Sequence, residues 1–203
     1  MRFYSIIILF SIMFSCKSEN NSNKKKDIDI YYNNEKFESV ESEKLNSEGV
    51  ELAKKNELNK AETKLLKALK IEPNNPTVLN NIGNVKKLKK EYDESIKYYE
   101  KSLTVSDSLY LNSALNIGIV SYQNEKYIKS EKILKYVIIE SNDLKLTEIA
   151  YYNLVLVYLK QNKCGKAKME FKKSEQIFKK NFQFAEQYEY LKSEIKNCVQ
   201  HRV

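Results

Sequence analysis

Tryptophan is absent from this chain of 203 residues, which also holds only one histidine, two prolines, three cysteines and four glycines. Each shortage removes a class of function. The single histidine, His201, stands two residues from the end of the chain, so a Ser-His or Cys-His pair in a cleft lacks its base. The few glycines form no phosphate-cradling loop, and cysteine and histidine show no paired spacing that suits zinc. Carboxylates are plentiful but alternate with lysine on what read as solvent faces. No catalytic residue, cofactor site or metal site is therefore assigned, and a small-molecule substrate is not expected.

The scarcity of proline and glycine, with Lys, Glu, Leu, Asn and Tyr dominant, favours helix strongly over sheet. A composition of 42% hydrophobic and 31% charged residues supplies one well-buried domain plus tails. The formal charge of +8 raises the question of nucleic acid. In "KNELNKAETK" and "KKEYDESIKYYEK", however, the lysines are interspersed with acids, the pattern of a mixed-sign solvated face, and no nucleic-acid partner is expected.

The first residues read as an address. "MRFYSIIILFSIMFSC" has one basic residue, Arg2, then an apolar run from Phe3 to Phe14 that is too short to cross a bilayer core and suits a secretory signal. "MFSC", Met13 to Cys16, resembles a bacterial lipobox. The resemblance implies removal of residues 1–15 and an acylated Cys16, with chains such as palmitate, holding the protein on a membrane of the cell envelope without spanning it. Residue 17 is Lys and not Asp, which by the rule of enteric lipoproteins directs such proteins to the outer membrane. Residues 16–38, rich in Asn, Ser and Lys without sustained period, read as a flexible tether.

Beyond the tether the chain repeats itself. Gly49, Gly83 and Gly118 lie 34 and 35 residues apart, each inside an apolar-periodic stretch. Aligned on them, residues 42–75, 76–109, 111–144 and 148–181 place small or apolar residues at corresponding positions. Examples are Leu45, Leu79, Ala114 and Tyr151, then Ala61, Ser95, Ser130 and Ala167; Val155 falls where the fourth glycine would stand. In the second unit, apolar residues at 79, 82 and 85 and at 92, 96, 99 and 103 predict helices over about 77–89 and 93–104, joined by a turn at "KKEY". Pro73 and Pro76 end one helix and begin the next. Unit spacings of 35 and 37 later in the chain predict longer turns near "SDSLYLNS" and "SNDLKLTE". After Lys180, a further amphipathic helix over about 181–200 covers the last apolar face; it is equally the first half of another unit.

This pattern resembles the tetratricopeptide repeat, a pair of antiparallel helices of about 34 residues. The resemblance implies an all-α, right-handed superhelical solenoid of about four units plus a capping helix, filling residues 39–203. Glycine in each first helix then serves close approach of the second. It also implies a peptide or helix of a partner protein held in the concave groove of the first helices. By position that surface comprises Asn46, Val50 and Lys54; Asn80, Asn84, Lys87 and Leu88; Leu115, Ile119, Tyr122 and Gln123; and Tyr152, Leu156, Leu159 and Lys160. Lipobox, tether and repeats in this order resemble outer-membrane lipoproteins that assist barrel assembly, or pilotins. Finally, Cys164 in the turn of the fourth unit and Cys198 near the end of the capping helix fall at the same end of the fold, either as a disulfide or as two free thiols.

Overall fold

The computed structural model describes residues 37–106, 110–180 and 185–200. The expected signal segment, Cys16, nearly all of the tether and His201 lie outside them. Among the described residues there are helices and no strands: α1 Val40–Lys54, α2 Leu58–Ile71, α3 Pro76–Leu88, α4 Tyr92–Val105, α5 Leu111–Gln123, α6 Tyr127–Glu140, α7 Leu144–Lys160, α8 Cys164–Lys180 and α9 Ala185–Gln200. None is long and apolar enough to cross a membrane. Each odd-numbered helix packs on the even-numbered helix that follows it and on the next odd-numbered helix, and the even-numbered helices contact the following hairpin. Contacts that run only between near neighbours make this an all-α repeat solenoid.

Local chemistry explains the helix ends. Asn75 caps α3, its Oδ1 accepting from the N–H groups of Thr77 and Val78, with Pro76 in the first helical position. Asp143 caps α7 in the same way through Lys145 and Leu146. The turns inside all four hairpins are Schellman motifs: Glu57, Glu91, Lys126 and Lys163 donate backbone N–H groups to the carbonyls of Leu52, Lys86, Ser121 and Tyr158 at 2.8–2.9 Å. The residue before each donor, Asn56, Lys90, Glu125 or Asn162, is left-handed with φ between 54° and 63°. No glycine stands at any of these places, so the left-handed geometry at Lys90 and Glu125 carried no sequence signal, although a turn was expected at "KKEY". The turn between α4 and α5 spans residues 106–110, one more than the 72–75 turn, as the spacing predicts. Between α6 and α7 the expectation of a longer turn fails, because Asp143 caps early and the extra residues extend α7 to 17 residues.

Inside the hairpins the glycines make room for one side chain each. A Cβ added at Gly49 would stand 2.7 Å from Leu65 Cγ, at Gly83 2.4 Å from Tyr99 Cε1, and at Gly118 2.6 Å from Leu134 Cδ2. Leu65, Tyr99 and Leu134 are all fully buried. The packing offsets the ~1 kcal/mol that a mid-helix glycine costs. The small residues opposite do more than allow approach: Ser95 Oγ donates to Gly83 O at 2.8 Å and Ser130 Oγ to Gly118 O at 2.7 Å.

The junctions between hairpins differ. Lys86 and Lys89 of the second hairpin reach back to Glu62 on α2 at 2.7 and 2.8 Å and also bind Glu91. Burial opposes the charge on Lys86, yet the hydrogen bonds from Glu62 and Glu91 prevail and hold its ammonium well above the ordinary value. Tyr158 of the fourth hairpin reaches back in the same register, its hydroxyl donating to Glu131 on α6 at 2.8 Å, with Lys135 and Lys166 near its ring. At the corresponding place the middle junction is apolar, formed by Ile96, Tyr99, Ile117 and Val120, and its ion pairs, Asp93 with Lys126 and Glu100 with Lys129, lie on the exposed rim.

The capping helix α9 lies against α7 and α8. Leu191 and Ile195 are its buried residues, and Tyr188 stacks on Phe171 with ring centroids 5.0 Å apart. Cys164 and Cys198 are joined as a disulfide between the start of α8 and the end of α9. In register, Tyr188, Leu191 and Ile195 repeat Tyr151, Leu154 and Tyr158, so α9 has the build of one more first helix. Lys192, with its side chain 61% exposed, occupies its glycine place.

Candidate partner-binding face

The first helices α1, α3, α5 and α7, continued by α9, form one face of the solenoid, and its two halves differ in chemistry. In the N-terminal half the amides bind one another across helices. Asn81 Nδ2 on α3 donates to Asn46 Oδ1 on α1 at 3.0 Å, and Asn116 Nδ2 on α5 donates to Asn80 Oδ1 on α3 at 2.9 Å. Asn84 Oδ1 accepts from the Tyr99 hydroxyl at 2.8 Å. Ser113 Oγ lies 3.1 Å from Asn80 Oδ1 and 2.8 Å from Ser102 Oγ, which in turn donates to Pro76 O at 2.7 Å. These two polar groups, Asn46 with Asn81 and Asn80 with Ser113 and Asn116, form a seam that helps to set the register of neighbouring helices, while Asn46 Nδ2, Asn80 Nδ2 and Asn81 Oδ1 are buried with no partner among the described residues.

Of the residues expected on the groove, Asn46, Val50, Asn80, Asn84, Lys87, Leu115, Ile119 and Leu156 are buried. The amides read from sequence as a recognition surface stand instead between the helices. Asn81, Ser113 and Asn116, which complete the seam, were not among the expected site residues; the recurrence of Asn two places before Gly83, Gly118 and Val155 signalled the two asparagines, and nothing signalled Ser113. The more open positions are Lys54, Leu88, Tyr122, Gln123, Tyr152, Leu159 and Lys160. Most come from α5 and α7. There Tyr122 packs against the ring of Tyr127 at 6.1 Å, and Tyr122, Tyr152 and Leu159 edge the cluster built on Leu154, Leu156 and Ile119. Beside them, Tyr190 on α9 has its phenol pushed up, first by burial and then by Glu194, with Lys160 acting against both. Among the described residues no group of His, Cys, Asp and Glu is placed to hold a metal ion.

This face offers half-buried tyrosine and aliphatic surface beside a lysine. Comparisons agree with the fold. Tetratricopeptide repeat models match residues 49–89 and residues 76–108. No curated protein matches in sequence. Among solved structures, a tetratricopeptide repeat protein from Parabacteroides merdae superposes with a TM-score of 0.65 at 17% identity, over 80% of this chain and 62% of that one. The chain thus spans less than two thirds of that protein's length. The pilF protein of Pseudomonas aeruginosa gives 0.66 at 22% identity, over 79% of this chain and 72% of that one. The Sgt2 tetratricopeptide domain of Aspergillus fumigatus gives 0.55 at 21% identity, over 63% and 83%.

Proposed function

Because the chain is a tetratricopeptide repeat protein, a type built as a scaffold for holding other proteins, we propose that it is a non-catalytic adaptor that grips a peptide or helix of a partner on the α5–α7 half of this face. The observation that carries the reading is the contrast between its halves. Amides in the N-terminal half are buried between the helices, whereas Tyr122, Gln123, Tyr152, Leu159 and Lys160 stand half-buried or exposed on adjacent first helices. Rigid aromatic anchors beside aliphatic surface suit an apolar segment of a partner, and the buried members of the row hold their spacing.

In this proposal the adaptor is exported and anchored through acyl chains on Cys16, facing the periplasm or the cell surface from the outer membrane. The Cys164–Cys198 disulfide supports an oxidising compartment, where such bonds persist. No cofactor or nucleic acid takes part. A second reading, an outer-membrane assembly factor of barrel-assembly or pilotin type, draws on the order of lipobox, tether and repeats.

The test is crosslinked capture from membranes with full-length protein against the Tyr122→Ala, Tyr152→Ala variant, both checked for equal thermal unfolding. A partner held by the wild type and lost by the folded variant supports the site; capture that is unchanged removes both tyrosines from it. Depletion separates the two readings. Loss of barrel proteins or secretin multimers favours assembly, and an unchanged envelope proteome favours a narrower adaptor.

A further inference from the structure

The mixed-sign pattern expected of the whole chain does not extend to its last hairpin. From Lys160 to Lys180 there are eight lysines against two glutamates, a formal +6 in a chain whose total is +8. The fold then removes the two acids from the outer surface. Glu170 is buried and paired with Lys173 at 3.0 Å, and Glu175 accepts from the Tyr188 hydroxyl at 2.9 Å on the side of α9. Lys163, Lys168 and Lys172 are exposed and make no ion pair among the described residues. On α4, by contrast, every exposed charge but Lys101 is paired among the described residues: Lys97 with Glu94 at 2.6 Å, Asp93 with Lys126 at 2.6 Å and Glu100 with Lys129 at 2.7 Å. Helical spacing sets Lys172 and Lys173 beside Met169, which is 50% exposed, and Lys168 precedes it in the chain.

We propose that this outward face of α8 is a docking surface for an anionic phospholipid bilayer. Lysine is a flexible point charge suited to a diffuse field of headgroups. Reading phosphate in a fixed geometry favours arginine, and the two arginines, Arg2 and Arg202, lie outside the described residues. Binding single-stranded nucleic acid calls for aromatic platforms, and among the described side chains of α8 the exposed ones include none. Met169 adds an apolar contact beside these lysines, the pairing by which interfacial helices engage the headgroup boundary. Where the Cys16 reading also holds, residues 17–36 restrict the domain to within ~70 Å of the anchor, and the two attachments reinforce each other. The electrostatic attraction itself does not depend on that reading.

The experiment is vesicle co-sedimentation of the full chain with phosphatidylglycerol mixed into phosphatidylcholine, against phosphatidylcholine alone. Three forms are compared: wild type; Lys163→Gln with Lys168→Gln and Lys172→Gln; and a control of equal net charge, Lys55→Gln with Lys67→Gln and Lys101→Gln. All share the same N-terminus, so the ratio of binding to the two vesicles isolates the charged surface from any acyl or apolar anchor. The α8 variant should lose about a hundredfold of the preference for phosphatidylglycerol, from three lysines near the surface, and the control should keep most of it. Equal loss in both variants, or no preference in the wild type, overturns the proposal. So does duplex DNA that binds the α8 face and displaces the vesicles at equimolar charge. Failure here leaves capture through Tyr122 and Tyr152 untouched, since that assay reads a different face.

Discussion

In the second hairpin Gly83 yields its side-chain volume to Tyr99, which is fully buried and gives its hydroxyl to Asn84. In the fourth, Val155 keeps that volume, and Phe171, in the place of Tyr99, sits 9% exposed with Tyr188 of α9 stacked over it. Each hairpin is covered by the first helix that follows it: Tyr99 packs with Ile117 and Val120 of α5, and Phe171 lies under α9, a lid that a disulfide holds in position. The repeat's glycine thus lets the ring sink fully between its own two helices, and where valine keeps that volume the ring stays nearer the surface, under the lid.

The sharpest way to break this comparison is to exchange the residues. Gly83→Val places a branched side chain where a single Cβ already meets Tyr99, and should cost about 3 kcal/mol or more in urea unfolding. Val155→Gly restores the repeat's glycine yet should also cost about 2–3 kcal/mol, through the void it leaves and its helix propensity. A neutral Val155→Gly would show that the lid, and not the valine, sets the packing of this hairpin. Next in size, Cys164→Ser with Cys198→Ser should lower stability by about 3 kcal/mol. Hydrogen exchange should then accelerate at Leu191 and Ile195 and leave α3 and α4 unchanged; acceleration in both places would mean that the two hairpins unfold as one.

The smallest effect separates the ionic junctions from the apolar one. Burial raises the pKa of Glu62, but the hydrogen bonds from Lys86 and Lys89 outweigh it, so the carboxyl lies below its ordinary value of 4.5. Its contribution is therefore complete above about pH 4.5 and is lost as pH falls through the lowered folded value, because the unfolded chain takes up the proton first. Glu131 follows the same rule, with burial outweighed by hydrogen bonds from Lys135 and Tyr158. Glu62→Gln should cost about 1–2 kcal/mol at neutral pH and flatten the acid limb of stability against pH. An unaltered acid limb would assign that dependence to other carboxylates.

The units and their glycines were legible because close packing leaves few residues that fit, and the start of α3 because Pro76 has a narrow role. Other features left weaker marks. Ser95 and Ser130 read as small residues, and that their hydroxyls would meet the carbonyls of Gly83 and Gly118 depends on a pairing only the fold supplies. Lys90 and Glu125 gave no sign of left-handed turns, since the Schellman bonds, not the side chains, impose that geometry. The groove row was located by repeat position, but position does not tell whether an asparagine faces a ligand or the next helix. Asn46, Asn80 and Asn84 turned out to have helix-borne partners. The charge of α8 was visible in its composition, yet its lack of compensation followed only once Glu170 and Glu175 were seen to be engaged elsewhere.

Every solenoid must also stop, and the end of a stack is adhesive by design, since each unit is shaped to receive its like. In α9 the place that accepts a following helix holds Lys192 instead of a small residue, with its ammonium 3.7 Å from Glu189 and near the ring of Tyr188. A helix seated there would have to bury that charge with only the exposed Glu189 to compensate it, at a cost of several kcal/mol. One lysine therefore discourages a further helix, from this chain or from another copy, from stacking on α9.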